Sequence, residues 1–244
     1  MSLLHTPVLF LRSCLQFSGM VASTVVWTLL AMFTVPLAYP TRYWVITRWC
    51  IFNIWWLKVC CRLDYQVEGL EHVPAGAVVV MANHQSTWET LALVRMFGPQ
   101  TWVLKRELLR IPLFGWALSV LEPIAIDRGG QGEAVRQMVS QGQERLKAGR
   151  SVVIFPEGTR VAPGQKGRYH PAGALLATRS GATVVPVAHN AGEYWGRHQF
   201  IKRPGRIQVR IGPPIDPSGK TAKEITRLVE EWIEAQLADI AGGS

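Results

Sequence analysis

His84 and Glu89 stand five residues apart in the stretch ANHQSTWET, residues 82 to 90, directly after the apolar run AVVVM. An imidazole and a carboxylate at this spacing have two physical uses. If a helix begins near Ser86, Glu89 falls in its first turn, and a loop folding back brings the carboxylate to the imidazole Nδ1–H. It then fixes the tautomer and raises the basicity of Nε2, which is the arrangement of a general base. Alternatively, Ser86-Thr87-Trp88-Glu89 is a capping box, with Ser86 bonding the third helical amide and Glu89 reaching back to the Ser86 amide. The two uses are only partly exclusive, since a cap fixes the backbone while the carboxylate serves the histidine.

Three further stretches carry polar groups where buried runs end. LKRELLRIPLFGWAL, residues 104 to 118, sets Lys105, Arg106 and Arg110 beside an apolar turn with Pro and Gly. VIFPEGTR, residues 153 to 160, ends a buried run at Pro156 and then offers Glu157, Gly158, Thr159 and Arg160 in a tight loop. VVPVAHN, residues 184 to 190, has Pro186 inside an apolar run, which an edge strand or a bulge tolerates and a central strand does not. Taken singly, these are a solvated basic turn, a strand-ending ion pair and an edge strand.

In this order after NHxxxxE, the three stretches resemble the sequence blocks of the glycerolipid acyltransferase family, specifically the 1-acyl-sn-glycerol-3-phosphate (lysophosphatidate) acyltransferases. The resemblance runs from about residue 64 to 215, and FPEGTR is its most specific element. It implies transfer of a fatty acyl group from the thioester of acyl-CoA or acyl carrier protein to the sn-2 hydroxyl of lysophosphatidate. It implies His84 and Glu89 as the catalytic residues, and Lys105, Arg106, Glu157, Gly158, Thr159 and Arg160 as substrate-binding. No metal or cofactor is implied beyond the acyl donor. The family's first block most often ends in aspartate, so the extra methylene of Glu89 has to be absorbed by loop geometry.

The residue types suit that reaction. Arg160, with its planar fork, is the first choice for a phosphate and Lys105 the second. Glu157 either holds Arg160 or bonds the glycerol hydroxyl, and Gly158 permits a close backbone approach or an unusual torsion. Other readings stay open, namely a lyso-ornithine lipid or another lysophospholipid as acceptor, or a membrane lipid-binding protein without turnover. There is no G-x-S-x-G elbow and no H-E-x-x-H helix.

These residues need a scaffold, and the chain supplies alternating elements. Strands are predicted at 77–82, 101–105, 123–127, 151–155, 183–188 and 206–211, with helices near 88–97, 113–120, 132–148, 171–180 and 220–239. This alternation predicts an α/β fold with a mixed, partly parallel sheet flanked by helices, whose ligands gather beyond the carboxyl ends of the strands.

Residues 13 to 41 contain no Asp, Glu, Lys or Arg and read as a membrane segment ended by Pro36 and Pro40. From Gly19 to Val35 it would span roughly 25 Å as a helix. The next segment carries Trp44, Trp49, Trp55 and Trp56 with Arg48 and Lys58, a composition suited to the membrane interface. We therefore expect an N-terminal membrane-associated helical hairpin at 1–63 and an acyltransferase domain at 64–244. The expected location is the bacterial cytoplasmic (inner) membrane, with the site facing the cytoplasm.

All four cysteines lie in the anchor region, with neither disulfide nor metal-ligand spacing. The formal charge of +9 implies attraction to polyanions. With half of the ten tryptophans in the anchor region, nucleic acid is not an expected partner, and membrane lipids are. Residues 197 to 210 add Arg197, Lys202, Arg203, Arg206 and Arg210 without an acid. They read equally as a surface for anionic lipid or an acidic carrier and as a solvated edge hairpin around Pro204-Gly205.

Overall fold

The computed structural model describes residues 5–126 and 131–242. Two long helices come first, α1 (His5–Thr34) and α2 (Tyr39–Cys61). The chain breaks between them at Pro36, which lacks an amide donor and disfavours helix at the residue before it. Pro40 then sits in the first turn of α2, where a missing N–H costs nothing. The two helices lie closely side by side at Gly19, where a β-carbon would stand 2.1 Å from the Trp56 indole. Between Thr6 and Thr34, α1 is long and apolar enough to cross a membrane. Its outer side leaves Phe10, Leu11, Phe17 and Phe33 exposed, whereas α2 buries Tyr43, Ile46, Cys50, Ile54 and Leu57 in the core.

The remaining elements are β1 (Leu63–Glu68), β2 (Val79–Ala82), α3 (Trp88–Ala92), β3 (Gln100–Lys105), α4 (Phe114–Val120), β4 (Ile124–Ile126), α5 (Gln131–Lys147), β5 (Ser151–Ile154), α6 (Ala172–Ser180), β6 (Val184–His189), α7 (Ala191–Tyr194), β7 (Gly205–Ile211) and α8 (Ala222–Gly242). The strands form one sheet in the order β1-β7-β6-β2-β5-β3-β4. All neighbours are parallel except β6 and β7. Successive residues of β2 point to opposite faces, as a pleated strand requires. Val80 and Ala82 pack with α2 and α3, while Val79 and Met81 pack with α6 and α8. The sheet is thus the middle of three layers, and β2, β5 and β6 are buried throughout and mostly apolar because they are covered on both sides.

The sheet has a seventh strand that the sequence reading does not anticipate: β1 follows α2 directly, and only its alternate residues are apolar. The predicted helix at 88–97 stops at Ala92 and tightens into a 3₁₀ turn at Leu93–Arg95. Asp127, the last residue of the strand predicted at 123–127, lies outside the described residues.

Two predicted edges are internal. Pro186 is in β6, which has β2 on one side and β7 on the other. Val187 pairs with Ile211 and Val184 bridges Ile215, so three steps on β6 face four on the other chain segment. This extra residue is a bulge, and it relieves Pro186 of donating to that side. Nor is Pro204-Gly205 an edge hairpin, because β7 lies between β6 and β1.

Candidate active site

β2 ends at Ala82 and delivers Asn83 and His84 to the carboxyl edge of the parallel strands. The following loop turns back as α3 begins, and Glu89 Oε1 comes to 2.7 Å from His84 Nδ1. The same oxygen accepts the amides of Gln85 at 3.0 Å and Ser86 at 2.8 Å. Ser86 Oγ accepts the amide of Trp88, not that of Glu89. Glu89 therefore serves helix start and histidine together, through an incomplete capping box, and the longer arm is taken up by the loop.

Four neighbours fix the imidazole. Phe155, just past β5, stacks on it with ring centroids 4.2 Å apart and planes at 14°. Glu157 Oε2 accepts the backbone amide of His84 at 2.5 Å, and the His84 carbonyl accepts the Val161 amide at 2.8 Å. The loop after β5 thus grips the His84 backbone at both ends. With Nδ1 committed to Glu89, the remaining nitrogen, Nε2, is the one free to meet a substrate, and the side chain keeps 16% of its surface exposed.

Behind Glu89 lies His189, the last residue of β6 and fully buried. Its Nε2 is 2.9 Å from the Asn83 carbonyl and 3.9 Å from Glu89 Oε2, while Nδ1 accepts the Ala191 amide. Asn83 returns the contact, bonding both the carbonyl and the amide of His189 at 2.9 Å. Burial lowers the His189 pKa, against the opposing pull of Glu89 and of the bond to the Asn83 carbonyl. For Glu89, burial pushes the pKa up, but His189, the bond from His84 and the loop amides outweigh it and hold the carboxyl below its ordinary value. Glu157 differs: burial, with Glu234 and Glu89 nearby, pushes its pKa up to about 8, against the opposing pull of the His84 amide.

Of the predicted site residues, the structure brings His84, Glu89 and Glu157 into direct contact. Gly158 has φ of 67°, and a β-carbon there would meet nothing closer than 3.8 Å, so the torsion and not crowding calls for glycine. Thr159 is exposed and Arg160 half-buried, one residue before the amide that meets the His84 carbonyl. The expected pairing of Glu157 with Arg160 is not made, because the carboxyl is spent on the His84 backbone. Lys105 and Arg106 are exposed at the end of β3 on the same edge. With β5 lying between β3 and β2, they stand roughly 10 Å from the His84 backbone across two strand spacings.

Phe155, Asn83 and His189 escape a reading by residue type. What could have revealed Asn83 and His189 is that each is a polar residue ending an apolar run, and β2 and β6 prove to be neighbours. Among the described residues, no three His, Cys, Asp or Glu side chains are grouped to hold a metal ion.

Chemically, the arrangement on this α/β fold can take a proton at Nε2 and share the resulting charge with a buried carboxylate. The family model described as Acyltransferase matches residues 64–190, and the chain belongs to this family. It is 44% identical over 236 residues to a 1-acyl-sn-glycerol-3-phosphate acyltransferase of Pseudomonas aeruginosa, covering 95% of this chain and 92% of that protein. A Saccharomyces cerevisiae protein of the same name is 29% identical over 206 residues, 80% of this chain and 65% of its own length. The crystal structure of a 1-acyl-sn-glycerophosphate acyltransferase from Thermotoga maritima shares the fold, with a TM-score of 0.78, 23% identity and 95% of each chain covered.

Proposed function

We propose that the protein transfers a fatty acyl group from an acyl thioester, on CoA or acyl carrier protein, to the sn-2 hydroxyl of lysophosphatidate, yielding phosphatidate. The observation that carries this reading is the 2.7 Å contact between His84 Nδ1 and Glu89 Oε1, which leaves Nε2 open at the carboxyl edge of the sheet. The names of the bacterial and yeast relatives support the acceptor.

An alcohol barely ionises at neutral pH, so it needs a base as it attacks. Nε2 of His84 takes the hydroxyl proton while the oxygen bonds to the thioester carbonyl carbon, and Glu89 stabilises the imidazolium. The tetrahedral intermediate collapses with cleavage of the carbon–sulfur bond, and the imidazolium returns the proton to the leaving thiolate. A positioned base of this kind is worth roughly 10² to 10⁴ in rate. The thioester is already activated, so no covalent acyl-enzyme is needed. Arg160 grips the acceptor phosphate, and Lys105 and Arg106 attract it from the β3 side. Glu157 acts by fixing the His84 backbone.

The apolar α1 suits this chemistry. Holding the enzyme at a bilayer avoids drawing an acyl chain into water, at about 0.8 kcal/mol per methylene. We place the site on the cytoplasmic face of the bacterial inner membrane, where the acyl donors are. The test is labelled acyl transfer to lysophosphatidate by membranes holding the intact protein or His84→Ala. A loss of at least a hundredfold, with binding of lysophosphatidate kept, is expected. Equal rates would overturn the assignment, and acylation of a different lyso-lipid alone would change the acceptor.

A further inference from the structure

Lys202 is 2% exposed, and among the described residues no carboxylate pairs with it. Its Nζ stands 5.0 Å from the Trp195 ring and 4.8 Å from the Phe200 ring. Its backbone amide donates to Ser13 Oγ of α1 at 3.0 Å. Phe200 in turn packs against Phe10 and Phe17 of α1, at 5.4 and 5.9 Å, and all three rings remain partly exposed. Two π faces soften the burial of an ammonium but do not replace an anion. Burial lowers the Lys202 pKa and the groups that oppose this are the Cys61 and Cys14 thiols, so an anion brought to the ammonium would hold it charged.

The topology says where that anion would be. His189, at the end of β6, pairs with Val209, so the residues preceding Gly205 project past the carboxyl edge on which His84 sits. The segment is tied to that edge by Gly192, whose amide donates to Gln85 Oε1, and by Arg197, which donates to the Arg160 carbonyl. Lys202 thus flanks the site on the β7 side, opposite Lys105 and Arg106, at the border of the exposed apolar face of α1. An ammonium ringed by aromatic side chains at the rim of an apolar face suits the headgroup layer of a bilayer.

We propose that Lys202 binds the phosphate of a membrane lipid, between α1 and the carboxyl edge beside His84. This rests on the lipid-phosphate reading of the site. The phosphate belongs either to the lyso acceptor or to an anionic phospholipid next to it.

The test uses the full chain carrying His84→Ala, so that nothing turns over, in phosphatidylcholine vesicles. Titration with lysophosphatidate and with a monoacylglycerol, which lacks the phosphate, compares this protein with Lys202→Met added. We expect lysophosphatidate to bind at least about tenfold more weakly and monoacylglycerol to be unaffected. If lysophosphatidate binding holds and recruitment to phosphatidylglycerol vesicles falls, the phosphate is that of the surrounding lipid. No change in either arm, or an equal loss for monoacylglycerol, overturns the proposal. Lys202→Gln gives the same comparison should the methionine variant not fold. Failure of the acyl-transfer reading would show separately, as absence of turnover by the unmutated protein.

Discussion

At the amino edge of the sheet, Glu122 accepts Arg42 at 2.9 Å and Arg150 at 2.8 Å, and its carbonyl accepts Arg145 at 3.1 Å. At the carboxyl edge, Glu157 has no cation within ion-pair reach among the described residues and spends one oxygen on a backbone amide. The bond from Arg150, with Arg42 behind it, holds Glu122 below the ordinary carboxylate range, whereas burial lifts Glu157 to about 8. Arg150 also lies 3.3 Å from the centre of the Tyr39 ring, so the amino-edge cluster pins the start of α2 to the sheet. The contrast separates two uses of charge. Where each carboxylate finds guanidinium partners, the charges hold helices in place and have nothing left to offer. Where carboxyl groups are buried among amides and imidazoles, they shape one histidine and form no ion pair with the nearby cations, Lys105 and Arg160.

Removing Glu89 should break this contrast most severely. Glu89→Ala takes the partner from His84 and from the Gln85 and Ser86 amides at once. We expect a rate loss of about a hundredfold or more and about 3 kcal/mol of stability lost in denaturant unfolding. A variant that loses stability but keeps its rate would reduce Glu89 to a helix cap.

Glu157→Gln sharpens the comparison through pH. Between the ordinary value of 4.5 and about 8, the unfolded chain gives up this proton while the folded chain keeps it. Stability contributed by the protonated group is therefore full below 4.5, declines as pH rises through this window and levels off above about 8. Glutamine still accepts the His84 amide and does not titrate. Thermal unfolding from pH 5 to 9 should show the variant gaining on the unmutated protein as pH rises, by a few kcal/mol at most. Parallel curves would mean that Glu157 is ionised throughout.

Glu122→Ala should have the smallest effect. Its side chain is about one-third exposed, so the loss should be about 1 kcal/mol of stability, reduced further by salt. Acyl-transfer rate should be unchanged, and a fall comparable to that of Glu89→Ala would end the distinction between the two edges.

Much of the site was readable because its chemistry depends on residue types at fixed short spacing. His84 and Glu89 are joined by one tight loop, so five residues suffice to bring them together. The same holds for the buried runs, whose apolar character follows from coverage on both faces. Pro186 was legible only halfway: proline cannot donate, but whether an edge or a bulge excuses it depends on where Ile211 and Ile215 pair. Beyond ending an apolar run, His189 carries no signal of its own in the sequence, and its place behind Glu89 depends on contacts a hundred or more residues apart along the chain.

The sequence by itself determined which side chains could carry the chemistry, the alternation of strand and helix, and the long apolar opening of the chain, because each is a property of local composition and period. The tertiary structure alone decided the strand order, the grip of Glu157 on the His84 backbone and the inward turn of Lys202 from an otherwise basic surface stretch. Those follow from which distant segments share a face, and the partners met there, imidazoles and a loop amide for Glu89 but other carboxyls for Glu157, then set the opposite titration of two buried carboxyls that no local pattern tells apart.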